Sequence, residues 1–468
     1  MEADLPLNPN CPGCTAAAAR IAALERRNAE LEARLAALEA LVEQLRRGGK
    51  RQSAPFSKGP PQANPKRPGR KAGDDYGTPP AFRAMPEPTP TDRVIDVPPP
   101  GSCPHCGDRS AAVIESVDRQ VQRDIEVRTV VRRFNIRVAR CGGCGQRRRG
   151  SHPLQTSNAT GCCASQVGPL ARGAMAFMNK TLGLSLGKIA DLFGTLWDLR
   201  LTPGGVGHAI QTLGRRCKTD YQSVLDAVRR AGHVTCDETG WRVGGIGHWL
   251  HAAATPDCCA YLIDAARGTD ATDQLIGASF AGTLVHDGWR PYDRYSRANH
   301  QQCNTHLLRR CNEMIEAAAT PGVAAFPKRV KALLRRGLLL RDQRDAGERT
   351  VRSARTHATR LGRELRGLCN ARKRDAANER LAAFLYPRLG HVFAYLRQPG
   401  TDATNWRGEH AMRFAVVNRK VWGGNRTRRG ADTQAILMSV LRTLKLRGID
   451  AIDWLQKKLT HQNPPLLA

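Results

Sequence analysis

Asp237 and Glu238 stand back to back in VTCDETGW (residues 234–241), where a short apolar run gives out. A third acid, Asp287, closes another apolar run in GTLVHDGWRPY. Taken singly, each has an ordinary explanation. Acids at strand ends are commonly solvated, and Asp-Gly is an ordinary turn pair. Taken together, at two matched strand ends, they suit metal-assisted phosphodiester chemistry. In-line displacement needs both the attacking and the leaving oxygen stabilised, and two Mg²⁺ ions about 3.5–4 Å apart do this. Hard cations of this kind take carboxylate oxygens. Neighbours on a strand point to opposite faces, so only one of Asp237 and Glu238 can join Asp287. Pairing with HDGW selects Asp237 and leaves Glu238 as a neighbour that tunes the site or faces a turn.

The elements that must position these acids are legible around them. HVTCDETGW reads as a strand leaving at TGW, GHWLHAAATP as a second and CCAYLIDAARG as a third. TDATDQLIGASF reads as a helix, and GTLVHDGWRPY as a fourth strand ending at Asp287. Three strands, a helix and a strand is the opening order of a ribonuclease-H-like domain, in which the first and fourth strands lie side by side. The expected fold is multidomain α+β: an N-terminal coiled coil, a zinc ribbon, a helical helix-turn-helix region and a ribonuclease-H-like α/β core with a helical insertion.

The chain has 468 residues, enough for two to four domains, and a net charge of +31. That imbalance calls for a polyanionic partner, with nucleic acid the default and a membrane surface the weaker alternative. No apolar run approaches the roughly 20 residues of a membrane span. MEADLPLNPN has neither a basic nor an apolar signal region. Fifteen cysteines in an unsecreted chain indicate metal sites and reduced thiols, hence a bacterial cytoplasm, associated with the nucleoid.

Ile21, Leu24, Asn28, Leu31, Leu35, Leu38, Val42 and Leu45 form a heptad seam over residues 16–47. Asn28 on an a position favours a two-stranded coil, so a homodimer or higher oligomer is expected. A single amphipathic helix docked on its own domain is the alternative. Residues 48–100, rich in Gly, Pro, Lys and Arg, read as a disordered basic linker. In residues 101–150, CPHCG and CGGCG enclose a stretch of alternating apolar and charged residues, a predicted β-hairpin. Cys103, Cys106, Cys141 and Cys144 offer four thiolates to a structural zinc ion with no open position. Cys11 and Cys14 form a third CxxC pair, which closes no site by itself.

Residues 165–230 read as helical. LSLGKIADLFGTLW is followed by Thr202 as N-cap and Pro203 at the first helical position, the layout of a helix-turn-helix. His208 and Gln211 on the second helix are candidate DNA contacts, and a plain helical hairpin is the alternative. The catalytic core is expected over 231–425, with a helical insertion at about 300–400. Residues 328–380 hold 17 Lys/Arg against 6 Asp/Glu, and Arg335 and Arg336 in KALLRRGLLLRDQ are candidate phosphate contacts. Cys303 and His306 in CNTHLLRR are spaced as half a metal site. The preferred reading is a helix beside the core with Arg309 and Arg310 facing DNA. Arg426, Arg428 and Arg429 lie in a further basic loop that opens the C-terminal helical segment, 426–468.

DETGW, HDGWRPY, CNTHLLRR and RTRRGADTQAILMSVLRTLKLRGIDAIDWL (426–455) resemble the transposases of the insertion-sequence 66 family, of the DDE class. The order of coil, ribbon and core is similar as well. The resemblance implies a ribonuclease-H-like core and metal-dependent DNA strand transfer; with the coil and the paired acids, the expectation is a homodimer that cuts and joins DNA using magnesium or manganese. It leaves room for small accessory proteins of the same element. It also supplies the third acid. NWRGEHAMR (405–413) lies where the family's third motif is expected, which gives Glu409 that role beside Asp237 and Asp287. Gly408 stands where the family usually has alanine, and His410 where it has arginine. Spacing alone would read Glu409 as an i,i+4 ion-pair partner of Arg413. Two other functions share these features: a non-catalytic DNA-binding regulator and a nuclease without joining activity.

Overall fold

The computed structural model describes residues 12–49, 94–109, 114–117, 120, 125, 128–161, 166–460 and 464–467. Cys11 and most of the expected linker lie outside the described residues. Residues 1–120 and 121–468 form two compact units. In the first, helix α1 (Pro12–Gly49) is built from Ala, Leu, Glu and Arg, all strong helix formers. Ile21, Leu24, Leu31, Leu35 and Leu38 of the seam are exposed, at 47–63 %.

The CxxC pairs at Cys103–Cys106 and Cys141–Cys144 form the same knuckle. Cys103 N–H donates to the Asp108 carbonyl at 2.7 Å, and Gly107 N–H to the Cys103 carbonyl at 2.9 Å. In the second unit, Cys141 N–H donates to the Gln146 carbonyl and Gly145 N–H to the Cys141 carbonyl, both at 2.9 Å. Gly107 and Gly145 sit at φ +75° and +68°, a conformation glycine adopts without strain. The hairpin expected between the pairs is placed differently. Strands β1 (Val138–Arg140) and β2 (Arg147–Arg149) pair across the second knuckle, and the described residues before β1 carry no strand. Val130 and Val131 of that stretch are exposed, so its alternating pattern meets no core to fold onto.

The second unit is organised by a mixed sheet of β3 (His233–Val243), β4 (Ile246–Ala254), β5 (Cys259–Asp264), β6 (Thr283–His286) and β7 (Asn299–Gln302), in the order β5-β4-β3-β6-β7. β3, β4 and β5 form an antiparallel meander, and β6 and β7 add in parallel. β3 does not leave the sheet at TGW. It runs on to Val243 and turns at Gly244 and Gly245, both at positive φ. Alternation splits the sheet into two packed faces. Val234, Cys236, Ala253 and Ala260 share a core with Leu225 and Val228 of α5 (Lys218–Arg230) and Leu275 of α6 (Thr269–Ile276). Trp241, Leu250, Ala252 and Tyr261 pack against Ala411 and Ala415 of α13 (Trp406–Trp422) and Met438 of α14 (Arg428–Leu446). The free edge of β5 is covered by α14: the Ser439 and Thr443 hydroxyls accept from the backbone N–H of Tyr261 and Cys259.

Helices α2 (Pro169–Lys180), α3 (Leu186–Trp197) and α4 (Pro203–Arg216) share the first of these cores with α14 and α15 (Ala451–Leu459). The Thr202 hydroxyl caps α4 by accepting from Gly205 N–H at 3.0 Å. Val206, Ala209, Ile210 and Leu213 are all buried. The α3–α4 pair is therefore packed into the same body as the sheet. After β7 the chain forms α7 (Asn304–Glu316), α8 (Pro321–Asp345), α9 (Val351–Asn370), α10 (Ala376–Leu385), α11 (Leu389–Val392) and α12 (Ala394–Arg397). These build a separate apolar core around Leu334, Leu361, Leu365, Leu381 and Phe393. No helix among the described residues is long and apolar enough to cross a membrane.

Candidate active site

β3 and β6 pair in parallel as far as Thr235↔Val285. Asp237 and Asp287 each lie two residues past that last pair. The two acids therefore stand level where the pairing stops, as the strand-end argument requires. Asp287 Oδ1 accepts from Trp289 N–H at 2.8 Å, so Asp287 also makes its turn. Gly288 between them has φ +96°, and a Cβ there would lie 2.5 Å from Gln302 Oε1. Only glycine fits this turn.

Glu409 arrives from the first turn of α13, where the partial positive charge of a helix N-terminus favours a carboxylate. Its neighbour Gly408 is buried against β3. A Cβ on Gly408 would lie 3.1 Å from Asp237 Cβ and 2.6 Å from Asn405 Oδ1. The glycine therefore lets the helix start sit directly on Asp237, and an alanine there would force Asn405 aside. The substituted His410 is exposed and accepts from Arg442 at 2.7 Å.

The electrostatics reflect this convergence. Burial, then the charges of Glu238 and Asp287 and more weakly that of Glu409, push the Asp237 carboxyl up to about 8. One hydrogen bond, from Glu238 N–H to Asp237 Oδ1 at 3.0 Å, opposes the rise. A carboxylate held this far from its ordinary range is a group short of positive charge.

Glu238 faces the other side of the sheet and is no turn residue. Its side chain is 2 % exposed, and it accepts from Arg267 at 2.6 Å and from the Tyr292 hydroxyl at 3.1 Å. The Arg267 guanidinium lies between the rings of Trp249 and Trp289, at 4.5 and 4.6 Å. Burial raises the Glu238 carboxyl, and Arg267 offsets part of that rise. Arg267 and Tyr292 are neighbours that sequence reasoning missed: Arg267 lies in no quoted motif, and Tyr292 closes HDGWRPY without any local sign that it reaches Glu238.

A second missed grouping lies beside Glu409. Cys303, His306 and Glu409 bring their ligand atoms within 4.8 Å of one another. The CxxH spacing was visible in the sequence, and the third member was not.

The basic candidates are spread over the surface. His208, Arg309, Arg335, Arg426 and Arg429 are exposed, and Gln211 is half-buried. Arg310 lies over the Phe384 ring at 5.2 Å. Arg336 is bound to Glu364 at 2.7 Å and Arg428 to Asp432 at 3.0 Å, so part of their charge is answered within the chain. In the knuckles, backbone N–H groups of residues 105 and 106 lower the Cys103 thiol, and those of 143 and 144 lower the Cys141 thiol. That bias favours the thiolates a metal would take.

Residues 165–433, more than half of the chain, match the family model described as "Transposase IS66 family". The chain is also similar to the uncharacterized protein y4qI of Sinorhizobium fredii, 24 % identical over 293 residues, which cover 55 % of this chain and 51 % of that protein. The chain thus spans about half the length of this curated relative. Helix α1 and both knuckles fall outside the matched family region.

Proposed function

The chain belongs to the IS66 family of transposases, and from that premise we propose that Asp237, Asp287 and Glu409 form one metal-holding site that cuts and joins DNA. Membership makes it a nucleic-acid-processing protein whose family uses divalent metal and binds DNA. The finer reading is cleavage of the element's own ends by water, followed by attack of the freed 3′-OH on target DNA. The observation that supports it is the level placement of Asp237 and Asp287 where the β3–β6 pairing stops, with the start of α13, which carries Glu409, seated on Asp237 at Gly408.

The donor set is suitable. Carboxylate oxygens from the middle of β3, the end of β6 and one helix start are the kind of ligand that Mg²⁺ or Mn²⁺ prefers. Such ions, when bound, activate an attacking oxygen and neutralise charge on the phosphodiester. The protein's own contribution is positioning. β3 and β6 hold Asp237 and Asp287 at one level, and Gly408 lets the start of α13, which carries Glu409, pack against Asp237. The pair of buried Glu238 and half-exposed Arg267 ties β3 to the loop after β5. No Ser or Tyr nucleophile is required, because the reacting oxygens belong to water and to DNA.

The mixed sheet, with its antiparallel meander followed by two parallel strands, supports a ribonuclease-H-like core. The CxxC knuckles at Cys103–Cys106 and at Cys141–Cys144, each tight and with a lowered leading thiol, support zinc as the ion such thiolates take. The exposed seam of α1 supports pairing with a second copy. The exposed arginines support DNA contact. The test is a joining assay with duplexes carrying the element's ends, run in Mg²⁺ and in EDTA. Joined product that needs Mg²⁺ and disappears in Asp287→Asn is expected. Full joining by Asp287→Asn would overturn the assignment, and cut but unjoined DNA would make the protein a nuclease.

A further inference from the structure

We propose that Cys303, His306 and Glu409 bind a second, softer divalent cation of the zinc type. Glu409 would then be shared between two chemically different metal subsites. The ligand set stands on its own geometry; only this sharing rests on the reading of Glu409 as the third acid.

Two helix starts meet here. Cys303 follows β7 directly and is the residue from which α7 begins, and His306 lies in the first turn of that helix. Glu409 lies in the first turn of α13. Backbone bonds lock the two starts together: Asn304 N–H donates to the Ala403 carbonyl at 3.0 Å, and Asn405 N–H donates to Cys303 Sγ at 3.1 Å. The sulfur is thus buried and held at the junction of the two helix starts; burial keeps its thiol above the ordinary range, and the backbone N–H groups around it offset part of that rise.

His306 Nδ1 and Glu409 Oε1 are 3.7 Å apart, too far for a hydrogen bond. Both atoms are buried, and neither has a hydrogen-bond partner. Buried polar atoms of this kind need a partner. Two ligands each about 2.1 Å from a tetrahedral ion lie roughly 3.4 Å from one another. The observed spacing is therefore close to that of two ligands of one ion. All three ligand atoms fall within 4.8 Å, which brings the thiol sulfur into the same sphere.

The donor types choose the ion. A thiolate, an imidazole and a carboxylate suit zinc, whereas Mg²⁺ prefers oxygen alone. Thiolate and carboxylate together carry two negative charges, which a divalent ion balances. Three protein ligands leave a fourth position open.

Metal content of the full chain tests this, after chelator stripping and dialysis against zinc. Wild type is expected to retain one zinc per chain more than His306→Ala and Cys303→Ser, while Asp237→Asn retains as much as wild type. With Co²⁺ in place of zinc, the wild-type minus His306→Ala difference spectrum should contain a thiolate-to-cobalt band that Cys303→Ser also lacks. Cys303 is fully buried and its variant can fail to fold. His306, a third exposed, then carries the count. Equal zinc in wild type and His306→Ala would overturn the proposal. That result would leave the carboxylate reading intact, since joining by Asp287→Asn decides it separately.

Discussion

Replacing Asp237 with Asn should stabilise the metal-free protein above neutral pH. An Asp in an unfolded chain titrates near 3.9. Burial and the neighbouring acids hold Asp237 at about 8 in the folded protein. Between those values the folded state binds more protons than the unfolded state. The stability tied to the protonated carboxyl is therefore complete below about pH 4 and is lost as pH rises through about 8. Four pH units at about 1.4 kcal/mol each give a ceiling of roughly 5 kcal/mol. Relaxation of the site and counter-ion binding would leave about 2–3 kcal/mol. A unit of this size unfolds with an entropy of about 0.7 kcal/mol/K, so the expected shift is roughly 4 °C. The assay is thermal unfolding in EDTA at pH 5 and pH 8.5. Asp237→Asn should melt about 1 °C above wild type at pH 5 and about 4 °C above it at pH 8.5. Millimolar Mg²⁺ should raise the wild-type melting point at pH 8.5 and leave the variant unmoved. A variant equal to or less stable than wild type in EDTA at pH 8.5 would refute the electrostatic argument.

Arg267→Ala should destabilise the protein by about 2 kcal/mol, because Glu238 stays buried with Tyr292 as its remaining neutral donor. The figure is discounted for the partial exposure of Arg267, and urea unfolding at pH 7 measures it. Leu31→Glu on the exposed seam of α1 should shift the chain from dimer to monomer in sedimentation experiments and leave the melting of the catalytic unit unchanged.

Asp237 and Asp287 stood out as a pair because an apolar run that stops at an acid is a local signal, and strand alternation is strict. HVTC and TLVH carry that signal, and the register places both acids two residues past the last β3–β6 pair. The exit of β3 was misread because Asp237 and Glu238 resemble turn residues, whereas the turn-making signal was the Gly244-Gly245 pair. The fate of Glu238 was hidden for a different reason. Alternation says that it faces away from Asp237, and nothing local says that Arg267 and two tryptophan rings wait on that face. Glu409 came from a motif and not from periodicity, since an acid in a helix start has many ordinary roles. The CxxH spacing of Cys303 and His306 was plain, but its third member lies about a hundred residues on and is brought in only by the start of α13. Gly408, a departure from the family pattern in the sequence, has a steric reason in the fold: the helix start approaches Asp237 too closely for a Cβ to enter freely.

Glu409 is the least locally determined of the three acids, so its conservative variant probes the site most directly. The measurement is the joining of the element's ends to target DNA by Glu409→Gln in Mg²⁺, with DNA binding followed in parallel by gel shift. Joining should fall by at least about 100-fold, the scale of losing one group that stabilises developing charge, while binding stays within a few-fold of wild type. Joining within a few-fold of wild type would contradict the three-acid site.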